Sequence, residues 1–328
     1  MNSKFTFKKK NPIFFNIFDI KEKSKSSSIM ALDIETKLQF RTNDNEVYHE
    51  YIFPSDRDIQ NTGGYIDKIL KYRTKEIKKQ IMDLTLDELV NSDSDVLKSR
   101  SVLVDVILSK MINRFLKKNT NSRVRVFDHG CTVGEHYDMI DQMLMAKFGY
   151  SAKEKISYIG LDISPLALSA ARILHSDIGK ENFKLIRAEG SSFSATENSV
   201  DFALSIGVIN HVQNPIESLT KLLTIIKNAL ILVIWVTQED KSFWAVNHSG
   251  IPYYFFSKND LKILADKFSS KGNFYFAEFI EEKKSTQLDS YVGITKERMK
   301  LIGSYTLIFC NKDYYNGNFY PLDFGDEK

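Results

Sequence analysis

The feature that most limits the fold is a change of hydrophobic period at Val124. From there on, short β-branched and aromatic runs alternate with segments whose apolar residues recur every three or four positions. The strands expected are 124–128, 157–162, 183–188, 200–205, 230–236, 274–280 and 304–309, with helices between the first five. Strands joined by helices in this way use right-handed crossovers, which yields a parallel sheet covered on both faces. The helix starts fit the scheme. Ser164-Pro165 and Asn214-Pro215 each set a capping residue before a proline, Glu217 follows Asn214 at capping-box spacing, and Ser257 with Asp260 repeats the pattern.

Upstream of Val124 the pattern differs. Residues 65–118 read as helical, with Val104, Leu108, Met111, Ile112 and Phe115 on one stripe, while residues 1–64 read as irregular. The expected organisation is an N-terminal extension over residues 1–100, with a basic tail and a candidate lid or ligand-contacting region, and an α/β domain over residues 101–328. Tyr48, His49, Tyr51 and Phe53 cluster in the extension, where they could stack on an acceptor or simply pack together.

Charge and composition exclude several classes. Residues 1–25 hold seven lysines against Asp19 and Glu22, a net +5, whereas the whole chain of 328 residues carries only +3. A basic tail on a near-neutral body lacks the basic face of a dedicated nucleic-acid binder. The longest clean apolar run, residues 229–236, is strand-sized, so no membrane span is expected. The apolar segment after Lys8, Lys9 and Lys10 is broken by Asn16 and ends at Asp19, unlike a signal peptide. Two cysteines, Cys131 and Cys310, make neither a disulfide framework nor a metal knuckle, and the default home is the cytoplasm.

The chemistry gathers where the expected strands end. After the first strand come Asp128, Gly130, Cys131, Thr132 and Gly134, and a helix then opens at Glu135. Glycines there permit a sharp turn and close approach of a ligand, toward which a helix N-terminus points its N–H groups. The second strand ends in Asp162, Ile163, Ser164 and Pro165, placing a carboxylate where it can accept from both hydroxyls of a ribose. The third ends at Glu189, Gly190 and Ser191, suited to an adenine edge, and the fourth at Ser205, Ile206, Gly207 and on to His211. Four such loops in this order form one crevice at the switch point of the sheet.

In this arrangement the sequence resembles the class I S-adenosylmethionine-dependent methyltransferases. Residues 128–134 are similar to their first motif, D-x-G-C-G-x-G; residues 160–165 to the second, 188–191 to the third and 200–212 to the fourth. His248, Tyr254, Phe255, Phe256 and the capped segment after Ser257 resemble the ubiquinone- and sugar-type small-molecule subgroup. The resemblance implies a Rossmann-like sheet of seven strands, mostly parallel, with helices on both faces and the strand 304–309 inserted antiparallel beside the fifth. It also implies S-adenosyl-L-methionine as cofactor and Asp128, Gly130, Cys131, Thr132, Gly134, Asp162, Ile163, Glu189, Gly190, Ser191, Ser205 and Ile206 as its contacts.

Three departures stand out: Thr132 replaces the middle glycine, Asp128 and Asp162 lie 34 positions apart with the extra length at 149–155, and Lys227-Asn228 replaces a Gly-Gly turn. His211 is the first candidate for a catalytic base, with His248 and His49 as further candidates; His129 and His136 neighbour the glycine loop, and His175 reads as a solvated helix residue. Against the family's other branches, the fourth loop carries no Asn/Asp-Pro-Pro-aromatic tetrapeptide and no cysteine. Ser205 stands where metal-dependent members need an acid, so no metal is expected. The function expected is methyl transfer to a small-molecule acceptor, at oxygen rather than nitrogen. The alternatives are an RNA methyltransferase using the basic tail and a non-catalytic cofactor-binding or scaffold subunit.

Overall fold

The computed structural model describes residues 37–41, 48–52, 100–120, 122–247, 252–277, 291–292, 294, 298 and 301–314. An antiparallel hairpin comes first, β1 (Lys37–Arg41) and β2 (Tyr48–Ile52), with Lys37 opposite Ile52 and Arg41 opposite Tyr48. This corrects the irregular reading of residues 1–64, in which the alternation of short runs was obscured by the surrounding polar residues. Of the helix expected over 65–118, the described part is α1 (Arg100–Lys118). Residues 1–36, Phe53 and residues 65–99 lie outside the described residues, and so does His248.

The main sheet is built from β3 (Val124–His129), β4 (Ile156–Asp162), β5 (Phe183–Arg187), β6 (Val200–Ile206), β7 (Ile226–Thr237), β10 (Gly272–Ala277) and β12 (Ile302–Asn311). Its order is β5-β4-β3-β6-β7-β12-β10; β3 to β7 run parallel, and β12 lies antiparallel between β7 and β10, as expected. The connecting helices are α2 (Glu135–Phe148), the single turn α3 (Ala152–Lys155) in the extra segment, α4 (Pro165–Leu174) and α5 (Pro215–Ile225). β5 runs to β6 through a loop in which no helix forms, contrary to the expected alternation. The segment is rich in Ser, Thr and Asn, which favour local turns over helix.

Period-two alternation divides the core. On β7, Ala229, Ile231 and Val233 join one buried cluster with α1, α2 and α4. Leu230, Leu232 and Ile234 join the other, with α5 and α6 (Lys258–Lys267). Each fully buried Leu or Ile contributes roughly 1.5–3 kcal/mol. Ser164 and Ser257 cap their helices, accepting from Ala167 N at 3.2 Å and Asp260 N at 3.0 Å. Asn214 makes no side-chain cap, and Glu217 pairs with Lys221 instead of closing a capping box.

Three strands exceed the expected seven. β8 (Phe243–Asn247), β9 (Pro252–Ser257) and β11 (Tyr291–Val292) form an antiparallel layer that joins the sheet only where Val236 and Thr237 pair with Phe256 and Ser257. Those two β7 residues pair with β12 on one edge, so β9 takes the β6 edge, beyond the last β6 pair at Ile206 and Val233. The added layer therefore stands at the carboxyl end of β6, beside the four loops. Among the described residues no helix is long and apolar enough to cross a membrane.

Candidate active site

The loops meet because the strand registers align. Asp128 lies opposite Gly160 and Leu204, His129 opposite Leu161 and Ser205, and Asp162 opposite Arg187. The first loop is drawn onto the second strand, with Gly130 N and Cys131 N both donating to the Leu161 carbonyl, at 2.7 and 3.0 Å. Gly130 has φ +84°, and a Cβ there would stand 2.1 Å from Val208 Cγ2, so only glycine admits the fourth loop so closely. Gly134, at φ +79°, opens α2.

Thr132 adopts the left-handed region, φ 45°, which a non-glycine residue enters at about 1–2 kcal/mol. Two hydrogen bonds offset that cost. Its N–H donates to Asp162 Oδ2 at 2.9 Å, and its hydroxyl donates to Glu135 Oε2 at 3.0 Å. Asp162, buried, also accepts from Ser164 N at 2.8 Å, so both oxygens are held in place at the end of β4. Ile163 is half-buried, and its carbonyl accepts from Arg187 Nε at 3.4 Å.

Glu189 ties two loops together. Its Oε2 accepts from Ser191 N at 2.7 Å and from the Ser191 hydroxyl, while Oε1 accepts from Gln213 N at 2.8 Å. The carboxylate thus staples the third loop to the fourth. Gly190 carries a carbonyl that accepts from His129 Nε2 at 2.8 Å and from Ser218 Oγ at 2.9 Å. With Nε2 donating to a carbonyl, His129 Nδ1 is the acceptor for Ser205 Oγ at 2.9 Å. Burial keeps His129 below its ordinary pKa, hence neutral, and the Ser205 hydroxyl turns inward to it. Ile206 packs half-buried on the first core cluster.

His211 follows the fourth strand. Its Nδ1 lies 2.9 Å from the Pro252 carbonyl, which fixes the proton on Nδ1 and leaves Nε2 as a bare acceptor. Burial pushes the imidazole down to about 4. The ring of Tyr253 stands edge-on at 4.0 Å. The fourth loop is held there by Asn210, which lies inside the fourth motif but carried no expected role. Its Oδ1 accepts from Trp235 N at 3.2 Å, its Nδ2 donates to the Tyr254 carbonyl, and its own carbonyl accepts from Tyr254 N at 2.7 Å.

Two other histidines were read too simply. His175 is buried at the end of α4 instead of solvated; Nε2 donates to the Val133 carbonyl at 3.2 Å, and the ring packs on Phe183 at 4.4 Å. It braces the glycine loop from behind. His136 pairs with Asp105 of α1 at 2.7 Å. Asp128, 1% exposed, has one hydrogen bond among the described residues, from the Tyr158 hydroxyl. Burial pushes its carboxyl up to about 6, against the pull of His136 and of Tyr158.

Residues 120–275 match the family model described as a methyltransferase domain. No curated protein matches the chain. Solved structures similar to it include the 4+2 cyclase SpnF, 13% identical over 62% of this chain and 80% of that one, with a TM-score of 0.40. Another is the 1,6-didemethyltoxoflavin-N1-methyltransferase of Burkholderia thailandensis, with bound 1,6-didemethyltoxoflavin and S-adenosylhomocysteine, at 12%, 65%, 81% and 0.37. A third is the O-methyltransferase from a trans-AT PKS multienzyme of Brevibacillus brevis, in complex with S-adenosyl-L-homocysteine, at 12%, 70%, 80% and 0.43.

The residues present suit S-adenosylmethionine. Asp128 is a nearly buried carboxylate with a single hydrogen bond, beside a glycine loop, and an ammonium group would complete it. Asp162 presents a fixed carboxylate of the kind that accepts from a diol. Gly130 leaves the loop backbone bare where a side chain would block approach. The four-loop crevice lies wholly inside residues 120–275, the segment that matches the methyltransferase-domain model.

Proposed function

We propose that this domain methylates an uncharged hydroxyl of a small molecule. The observation that carries the reading is the state of His211: Nδ1 is committed to the Pro252 carbonyl, so Nε2 is left as an acceptor on a ring packed edge-on with Tyr253. No ionised group acts on the ring among the described residues, which suits a neutral acceptor. When bound, S-adenosylmethionine supplies a methyl carbon whose bond to sulfur breaks with the electron pair left on sulfur. Asp162 and Asp128 hold the ribose and the cationic end, and the glycine loop from Gly130 through Cys131 and Thr132 to Gly134 lies along the ligand, with Ile163 and Ile206 as apolar walls. Glu189, Gly190, Ser191 and Ser205 keep the third and fourth loops at a fixed spacing around it.

His211 Nε2 accepts the hydroxyl proton. With a pKa of about 4 it is a weak base, and it does not remove the proton in advance. As the oxygen gains its new bond to carbon the proton becomes strongly acidic, and the weak base then suffices. Residues 101–328 act as the methyltransferase domain and residues 1–100 as an extension of it. The free, buried thiols of Cys131 and Cys310 fit a cytoplasmic home. The test is incubation of the full chain with methyl-labelled S-adenosylmethionine and a metabolite extract. The expected product carries the label on oxygen of a neutral small molecule; label in RNA, in protein or on nitrogen overturns the reading.

A further inference from the structure

Four buried groups lie together behind the glycine loop, one from each of four elements. Asp105 of α1 is 0% exposed, His136 of α2 6%, Asp128 of β3 1% and Tyr158 of β4 0%. Asp105 Oδ1 and His136 Nδ1 are 2.7 Å apart, and the Tyr158 hydroxyl donates to Asp128 Oδ2. We propose that Asp105 and His136 are a positioning pair that keeps Asp128 ionised for the cationic end of the cofactor, so that α1 belongs to the cofactor site. This rests on the cofactor reading given above.

The charge arithmetic supports the assignment. A buried carboxylate and a buried imidazole in contact stabilise each other as an ion pair. Burial disfavours the charge on His136, but Asp105 outweighs it and, with Asp128 and Glu135, pushes the imidazole up to about 9. His136 then carries a positive charge, and that charge acts on Asp128. The groups facing Asp128 are Tyr158 on β4, His136 and Glu135 on α2, Asp105 on α1 and Cys131 in its own loop. Of these, only His136 is a cation. Glu135 and Asp105 act in the opposite sense, raising the carboxyl. Without the His136 charge, Asp128 would take up a proton near neutral pH and lose its attraction for an ammonium group.

Binding of two ligands by the full chain separates positioning from structure. S-Adenosylhomocysteine carries the ammonium group; 5′-methylthioadenosine has the same nucleoside without it. For the wild type, affinity for S-adenosylhomocysteine is expected to fall about tenfold per pH unit below pH 6, where Asp128 protonates, while 5′-methylthioadenosine stays level. In His136→Gln that fall begins at least one pH unit higher; in Asp105→Asn, where loss of an anion offsets part of the loss of the His136 charge, it begins higher by less. At pH 6.5 S-adenosylhomocysteine then binds to His136→Gln at least about threefold more weakly than to the wild type, and the deficit shrinks by pH 8.5. Equal weakening of both ligands at every pH means a structural role and overturns the proposal. No binding of either ligand by the wild type overturns the cofactor reading itself, and the proposal with it. If neither variant folds, histidine NMR of the wild type decides: an imidazolium at His136 at pH 7.5 is expected, and a neutral ring there overturns the proposal.

Discussion

Thr132 and Asp162 are tied across the mouth of the crevice, the backbone N–H of one donating to Oδ2 of the other at 2.9 Å. The bond explains how a threonine stands in the left-handed region, at the position where the D-x-G-C-G-x-G motif has glycine. It also makes Asp162 the anchor of the glycine loop, in addition to its proposed part as ligand acceptor. Thr132→Gly keeps the N–H and relieves the strain, so unfolding free energy should change by no more than about 1 kcal/mol. Asp162→Ala removes both functions, and isothermal titration should show S-adenosylhomocysteine affinity reduced at least about 100-fold, in line with two charge-assisted hydrogen bonds of roughly 1.5–3 kcal/mol each. Retained affinity in Asp162→Ala would remove it from the cofactor site.

The fourth loop presses Val208 onto Gly130, and φ +84° adds backbone strain to the clash that any side chain would meet there. Gly130→Ala is expected to lower stability by about 2–3 kcal/mol, from overpacking plus the left-handed penalty. Adding Val208→Ala should recover only part of the overpacking, because the Cβ at position 208 still stands 2.8 Å away, and should leave the left-handed penalty, since no change at position 208 alters φ at position 130. Chemical denaturation of the single and double variants reads the difference; full recovery in the double variant would show that the conformation is unstrained.

For His211, the two halves of its role separate kinetically. His211→Ala should lower kcat by about 10²–10⁴-fold, the span typical of a lost proton acceptor, with S-adenosylhomocysteine affinity within a few-fold of wild type. Because the imidazole is pushed down to about 4, it is neutral throughout pH 6–8 and its titration leaves no inflection in kcat over that range. An inflection near 6.5 that disappears in the variant would show an exposed, unshifted histidine instead.

The sheet could be read from the chain because parallel strands buried on both faces leave continuous apolar runs with few alternatives. The second strand of that sheet was expected at 157–162 and is Ile156–Asp162. The layer of β8, β9 and β11 was missed because Tyr253, Tyr254, Phe255 and Phe256 form an unbroken aromatic run with no alternation to reveal a two-faced strand. Side-chain partners across the sheet were illegible for another reason. The tie from Glu189 to the fourth loop was illegible because nothing local shows that Gln213 N, brought in by a different strand, donates to one of its oxygens. His175 looked solvated because its helix ends in a polar stretch, yet packing on Phe183 and Tyr137 encloses it.

His136 makes stability sensitive to alkali. Its folded pKa, about 9, lies above the ordinary value of 6.5, so the folded state holds the proton more tightly than the unfolded one. The stabilisation is complete below about pH 6.5 and is lost as pH rises through about 9. Melting temperature should therefore decline between pH 7 and 9.5 in the wild type, and the decline should be shallower in His136→Gln, which has no proton to lose. An identical slope in both proteins would assign the alkaline loss to other groups.

Asn210 offers the sharpest separation of scaffold from chemistry. It is fully buried and joins the fourth loop to β7 through Trp235 N and to β9 through both polar groups of the Tyr254 backbone. His211, the next residue, takes its orientation from Pro252, on the same strand as Tyr254. Truncation to alanine leaves the Trp235 N–H without its acceptor and the Tyr254 carbonyl without its donor, at about 1–3 kcal/mol for each stranded group. Asn210→Ala should thus lose several kcal/mol of stability and should lower kcat more than it raises KM, because the base, not the cofactor loops, is displaced. Asn210→Asp keeps the acceptor for Trp235 N while placing an anion against the Tyr254 carbonyl. It should bind S-adenosylhomocysteine like the wild type below the pH at which that carboxyl ionises and lose folding stability above it. If instead cofactor affinity falls in step with kcat in Asn210→Ala, the fourth loop positions the cofactor and not the acceptor's base.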